Sequence, residues 1–167
     1  TYANPATPWI KQLDRPRADA VWAAVVPMIM TFWYTNNQSY AVTAARLLRT
    51  FFLDNSTRMN PNLNHAVDEP GSQACNDGLT GAAQLKSCGW GGTVDFANMR
   101  YALNAVALLE YADANGTHWT KDDREGLRAW MGSFLDWWLT SVLGQSSRAL
   151  KDNIGTAYTI SVLAMAN

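Results

Sequence analysis

Apolar residues recur at helical spacing along most of the chain. Val21, Trp22, Val25, Met28, Ile29, Phe32 and Trp33 form one wide face and predict a helix from Arg17 to about Tyr34. Asp14 and Pro16 mark its start, the acid as a cap and the proline because its fixed φ suits a first turn. Pro27 within it predicts a kink. Thr35-Asn36-Asn37 reads as a turn. A second helix from about Ser39 to Leu53 then turns Tyr40, Ala41, Ala44, Leu48, Phe51 and Phe52 inward, with Arg46 and Arg49 on the other side. A third, from about Thr93 to Asn115, carries two apolar rows: Val94, Ala97, Tyr101, Ala105 and Leu108, and Phe96, Met99, Leu103 and Val106. Two rows predict burial on most sides. Thr120 and Asp123 have the spacing of a capping box. They open a fourth helix through Leu127, Trp130, Met131, Phe134, Trp138 and Val142 to Leu143, stopped by Gly144. A polar loop leads to a fifth helix, from about Ile154 to Ala166.

No strand pattern competes with this reading, so the fold class is all-α, antiparallel helices joined by short turns. Residues 54–92 are the exception: Pro61, Pro70 and six glycines interrupt any period. So long an irregular stretch is more often functional than neutral. Asn60, Asn62, Asn64 and His65 within it suggest an ordered loop lining a site. The length, 167 residues, fits one domain spanning 1–167. Broad-faced helical hairpins suit part of a toroid of paired helices, and a full toroid needs a longer chain. The expectation is a truncated part of a larger domain, its ring completed by a missing segment or a partner chain.

Composition narrows the function classes. Charged residues make up 16% of the chain, well below the roughly 25% of typical soluble domains. The net charge of −1 offers no basic face for nucleic acid, and no apolar run is long enough to span a membrane. Tryptophan is abundant, with eight residues. Most fit core positions, but Trp90 and the Trp137-Trp138 pair fit a one-sided stripe poorly. They are candidate platforms for the C–H face of a sugar ring. Cys75 and Cys88 either close a disulfide, contributing about 3 kcal/mol by chain entropy, or are two buried thiols. N-x-S/T sequons at Asn37, Asn55 and Asn115 fall at predicted turns or helix ends, where glycans belong. Together with the cysteine pair they point to an extracellular, secreted glycoprotein. The two histidines, His65 and His118, lie too far apart in sequence to suggest a metal cluster. Gly89 to Gly92 lack the strand–helix context of a phosphate loop, and no cofactor is implied.

Particular stretches resemble a known family. Ser56-Thr57-Arg58-Met59-Asn60-Pro61-Asn62-Leu63-Asn64-His65-Ala66 is similar to the segment TRMNPNLNYAQ of the alginate lyase domain, with Glu69-Pro70-Gly71 matching the Pro-Gly that follows. Residues 31–53 resemble its helix pair, and Gly91-Gly92-Thr93-Val94-Asp95 its GIID segment. Phe134 to Gly144 is similar to its Trp-Leu-containing helix. Asp152-Asn153-Ile154-Gly155-Thr156-Ala157-Tyr158 stands where the family has NNHGTWY. The resemblance runs from about residue 20 to the end. It implies an incomplete (α/α) toroid, and β-elimination on a uronic-acid polysaccharide such as alginate or polyglucuronate.

That reaction needs the carboxylate neutralised, a base for the adjacent proton and an acid for the leaving oxygen. Asn153 matches the family's neutralising asparagine, an amide able to stabilise developing charge. The histidine base is replaced by Ile154, and the motif's tryptophan by Ala157. His65 is then the alternative base and Tyr158 a candidate proton donor. Asn60, Asn62, Asn64, Trp90 and Trp138 would shape the sugar subsites. The family's acidic Tyr and its Arg would lie beyond Asn167. Two further readings stand beside this one: a catalytically inactive glycan-binding or structural glycoprotein on the lyase fold, and an unrelated all-α interaction protein.

Overall fold

The computed structural model describes residues 14–64, 93–94 and 96–166. Among them there is no strand. Six α-helices succeed one another: α1 (Asp14–Thr35), α2 (Gln38–Leu48), α3 (Met99–Ala112), α4 (Lys121–Thr140), α5 (Val142–Ala149) and α6 (Asn153–Ala166). A π-helical turn, Arg49–Leu53, extends α2, and a 3-10 turn, Phe96–Asn98, leads into α3. The described residues sort into two compact units. The first comprises Ala20–Pro61 and Asn98–Phe134, and the second takes the remainder.

In the first unit α1 buries Trp22, Val25, Ile29 and Phe32, positions three and four apart on one helix side. The helix continues through Pro27. α2 contributes Ala41, Ala44, Ala45 and Leu48, α3 contributes Met99, Ala102, Ala105, Val106 and Leu109, and α4 contributes Leu127, Trp130, Met131 and Phe134. Phe52 joins these sets: its ring stacks on Trp22 at 5.8 Å and meets Trp130 edge-on at 4.8 Å. Tyr40 and Tyr101, expected inward, are 37% and 53% exposed. Arg100 covers the Tyr101 ring at 4.3 Å, and its Nη2 donates to the Tyr101 hydroxyl at 2.8 Å.

The second helix is not α-helical to its end. Over Arg49–Leu53 the coil widens, and the Asp54 amide donates to the Arg49 carbonyl, five residues back, at 2.8 Å. The widened turn frees carbonyls that the following residues take up. Thr57 Oγ1 donates to the Thr50 carbonyl at 2.6 Å, and the Met59 amide to that of Phe51 at 2.9 Å. The irregular segment therefore starts folded back onto the helix end.

Arg49, on the side away from the apolar row, is partly exposed and is tied down by its charge. Its guanidinium forks onto Asp123, Nε to Oδ1 at 2.7 Å and Nη2 to Oδ2, and also donates to the His118 carbonyl. Asp123 meanwhile completes the expected capping box. Its amide donates to Thr120 Oγ1 at 3.2 Å, and its Oδ2 accepts from the Thr120 amide at 2.8 Å. Burial raises the Asp123 pKa, but the bonds from Arg49 and Thr120 outweigh it and hold the acid below the usual carboxylate value. The same pairing raises the Arg49 pKa. Between α3 and α4, the buried Asp113 carboxylate accepts from the backbone amides of Thr117, His118 and Trp119 at 3.1, 2.7 and 2.8 Å. The turn it gathers passes through Gly116 at φ +65°, a conformation that favours glycine.

In the second unit the fourth helix ends at Thr140 and a separate helix, α5, follows where a polar loop was expected. Ser141 is extended (φ −70°, ψ 156°), and its side chain accepts from the Gly144 amide at 3.0 Å. It is an N-cap that starts a new helix. Gly144 is therefore no stop signal. It is required inside α5 because a Cβ there would overlap the Trp138 carbonyl. Gly155 plays the same part against the Leu150 carbonyl where α6 crosses α5.

Candidate functional site

The asparagines of the irregular segment are held by one another and by tryptophan. Asn62 Oδ1 accepts from the Asn64 amide at 3.2 Å, and Asn64 Oδ1 accepts from Trp137 Nε1 at 2.9 Å. An indole N–H can only donate, so the carboxamide oxygen of Asn64 must face it. Its NH2 is thereby turned away from the indole. Seven residues earlier on α4, Trp130 Nε1 donates to the Met59 carbonyl at 2.8 Å, which fixes the start of the segment. Asn60 is exposed and belongs to the first unit.

Asn153 is exposed at the start of α6. Beside it the Asp152 carboxylate caps the helix, accepting from the Ile154 amide at 2.8 Å and from that of Gly155 at 3.4 Å. The half-buried Ile154 brings no proton-carrying group. Asn62, Asn64, Asn153 and Tyr158 all belong to the second unit. Among the described residues no hydrogen bond links Asn153 to the Asn62–Asn64 pair.

Trp138 does not act as a sugar platform. It is fully buried and meets Trp137 and Tyr158 edge-on, at 5.6 Å in both cases. It presents no open face, because the apolar period of α4 turns it inward. Tyr158 is 6% exposed and packs against it. Trp137, half-buried, serves through its ring nitrogen instead. Its place beside Trp138 suggests a platform by type, but a part-buried indole N–H commonly takes an acceptor, and Asn64 supplies one. His65, Trp90, Cys75 and Cys88 lie outside the described residues. Asn37, Asn55 and Asn115 are all exposed, at turns or a helix cap. Among the described residues no group of acids, histidines and cysteines could hold a metal, and no helix is long and apolar enough to cross a membrane.

A cavity of about 370 Å3 opens in the first unit between the π-turn and α4. Phe52, Trp130 and Pro61 form its apolar walls, and Arg58, Asp122 and Ser133 its polar groups. No residue pattern marks it, since the widened turn that places Phe52 and Leu53 has no period of its own.

No curated protein matches the chain. A crystal structure of an alginate lyase from Bacteroides ovatus superimposes with a TM-score of 0.78 at 25% identity, over 96% of this chain and 38% of that one. The chain thus spans well under half the length of that enzyme, and its fold class is the all-α, incomplete (α/α) toroid that the resemblance implied. The sequence model of the alginate lyase family matches residues 7–167, nearly the whole chain, and the chain belongs to that family.

Proposed function

We propose that this chain binds a uronic-acid polysaccharide as part of a secreted lyase-type protein, with Asn64 and Asn153 as amide donors to the sugar acid. The observation that carries the reading is the Trp137–Asn64 hydrogen bond, which orients the Asn64 amide as a donor. A fixed neutral donor is suited to a carboxylate whose charge must be spread as a proton leaves it. Trp90 and His65 would complete the subsite. The exposed sequons and the Cys75/Cys88 pair support an extracellular location. Asn64→Asp keeps an oxygen for Trp137 but replaces the NH2 donor by a second, negatively charged oxygen, so it both removes the donor and repels a sugar carboxylate. The expected result is at least about tenfold weaker binding of alginate or polyglucuronate, roughly 1.4 kcal/mol, with an unchanged unfolding midpoint. Equal affinity would overturn the assignment.

Ile154 favours a second reading, binding without elimination, since isoleucine cannot accept the proton. Unsaturated chain ends, followed by ultraviolet absorbance, separate the two. The expected outcome is binding with no rise in absorbance. Ile154→His is then expected to introduce measurable elimination if the rest of the machinery is supplied. Elimination by the unaltered chain would place the base at another residue, His65 first.

A further inference from the structure

Two of the sequons lie in turns that the fold brings side by side. Asn37 follows α1, and Asn115 follows α3. His118 Nε2 meets Gln38 Oε1 at 2.6 Å, and the His118 ring stands edge-on to Phe32 at 6.4 Å, so the two turns are joined. Next to them are exposed aromatic rings. Trp33 is 42% exposed and Tyr111 is 74% exposed, each four residues before its sequon asparagine, with ring centroids 5.4 Å apart; Tyr34 is 79% exposed. Trp33 and Tyr111 thus form an exposed aromatic pair, the kind of apolar surface that marks a contact site. The Asn37 carboxamide is already oriented. Its Oδ1 accepts from the Ser39 amide at 3.1 Å and from Ser39 Oγ at 2.8 Å, which leaves Nδ2 outward to carry a sugar without disturbing the cap.

We infer that N-linked glycans on Asn37 and Asn115 lie over Trp33, Tyr34 and Tyr111, the apolar faces of their first N-acetylglucosamine units covering these rings. The inference rests on the reading of the chain as a secreted glycoprotein and does not depend on the uronan site. The occupant is fixed by position: both attachment points belong to the joined turns, and both rings of the Trp33–Tyr111 pair end the helices that lead into them. The test is to secrete the protein from a eukaryotic host, map occupancy by glycopeptide mass, and footprint the rings with hydroxyl radicals before and after enzymatic glycan removal. Removal leaves Asp at position 37, which still caps α2.

The expected result is occupied Asn37 and Asn115, and a several-fold rise in labelling of Trp33, Tyr34 and Tyr111 on removal. Tyr101, exposed on α3, serves as the control whose labelling stays constant. Occupied sites with unchanged labelling overturn the inference and leave the glycoprotein reading intact. Empty sites overturn both. Protection in the sugar-free protein that grows with concentration also overturns it, and assigns the surface to a second copy of the chain.

Discussion

At the scale of single residues, the pairing of Arg49 with Asp123 shows how one side chain can serve two ends. Asp123 closes the N-terminal cap of α4 and receives a guanidinium from 74 positions away in sequence. Its pKa is depressed in the folded protein, so its contribution to stability is complete above the unfolded value, about 3.8. It fades as the pH falls below that value through the folded one. Urea titrations from neutral to acidic pH are expected to show this loss, and Asp123→Asn to show less of it. At neutral pH the same substitution is expected to cost about 2 kcal/mol, typical of hydrogen bonds to charged groups; the partial exposure of Arg49 keeps it from costing more. A flat pH response in the unaltered protein would contradict the pairing. The sequence revealed the Thr120–Asp123 half of this arrangement because a cap is a local pattern. It set Arg49 apart from the inward row but could not show its partner, which lies 74 positions away. Trp138 failed as a platform for a local reason: helical period decides its burial, and its neighbour Trp137 alone escapes the stripe.

At the scale of elements, periodicity made α1, α2, α3 and α4 legible, since each buries a row of residues three and four apart. It could not reveal α5. That helix is short and polar, begins at a serine cap, and carries a glycine that reads as a terminator. Glycine's two meanings, stop and close approach, are indistinguishable in sequence, and only the nearby Trp138 carbonyl decides between them. A paired substitution tests this logic. Gly155→Ala is expected to destabilise by about 3 kcal/mol, as overpacking against backbone does. Gly132→Ala, on an exposed stretch of α4 where a Cβ meets nothing within 4 Å, is expected to stabilise by about 1 kcal/mol. Chemical denaturation of the two variants should move the midpoint in opposite directions; a shift in the same direction would refute the reading of Gly155.

At the scale of the whole molecule, the family was legible from one run of residues, Thr57 to Asn64, while the periodic helices alone supported only the all-α class. The candidate site was legible in part. Its asparagines were read by type, but not the indole that orients Asn64, because that bond spans 73 positions. The folded-back segment after α2 has a consequence for how the native chain meets proteases. Arg58 is exposed, and the bond after it is chemically a trypsin site. Yet the Arg58 and Met59 amides are tied to Asp54 and Phe51, and Trp130 holds the Met59 carbonyl. A protease needs several residues drawn out straight, and here that means releasing all of these ties. Limited digestion of the native protein is therefore expected to spare the Arg58–Met59 bond, with cleavage there rising only under conditions that open the first unit. Rapid cutting at Arg58 in the native state would show that the segment is held far less firmly than its bonds imply.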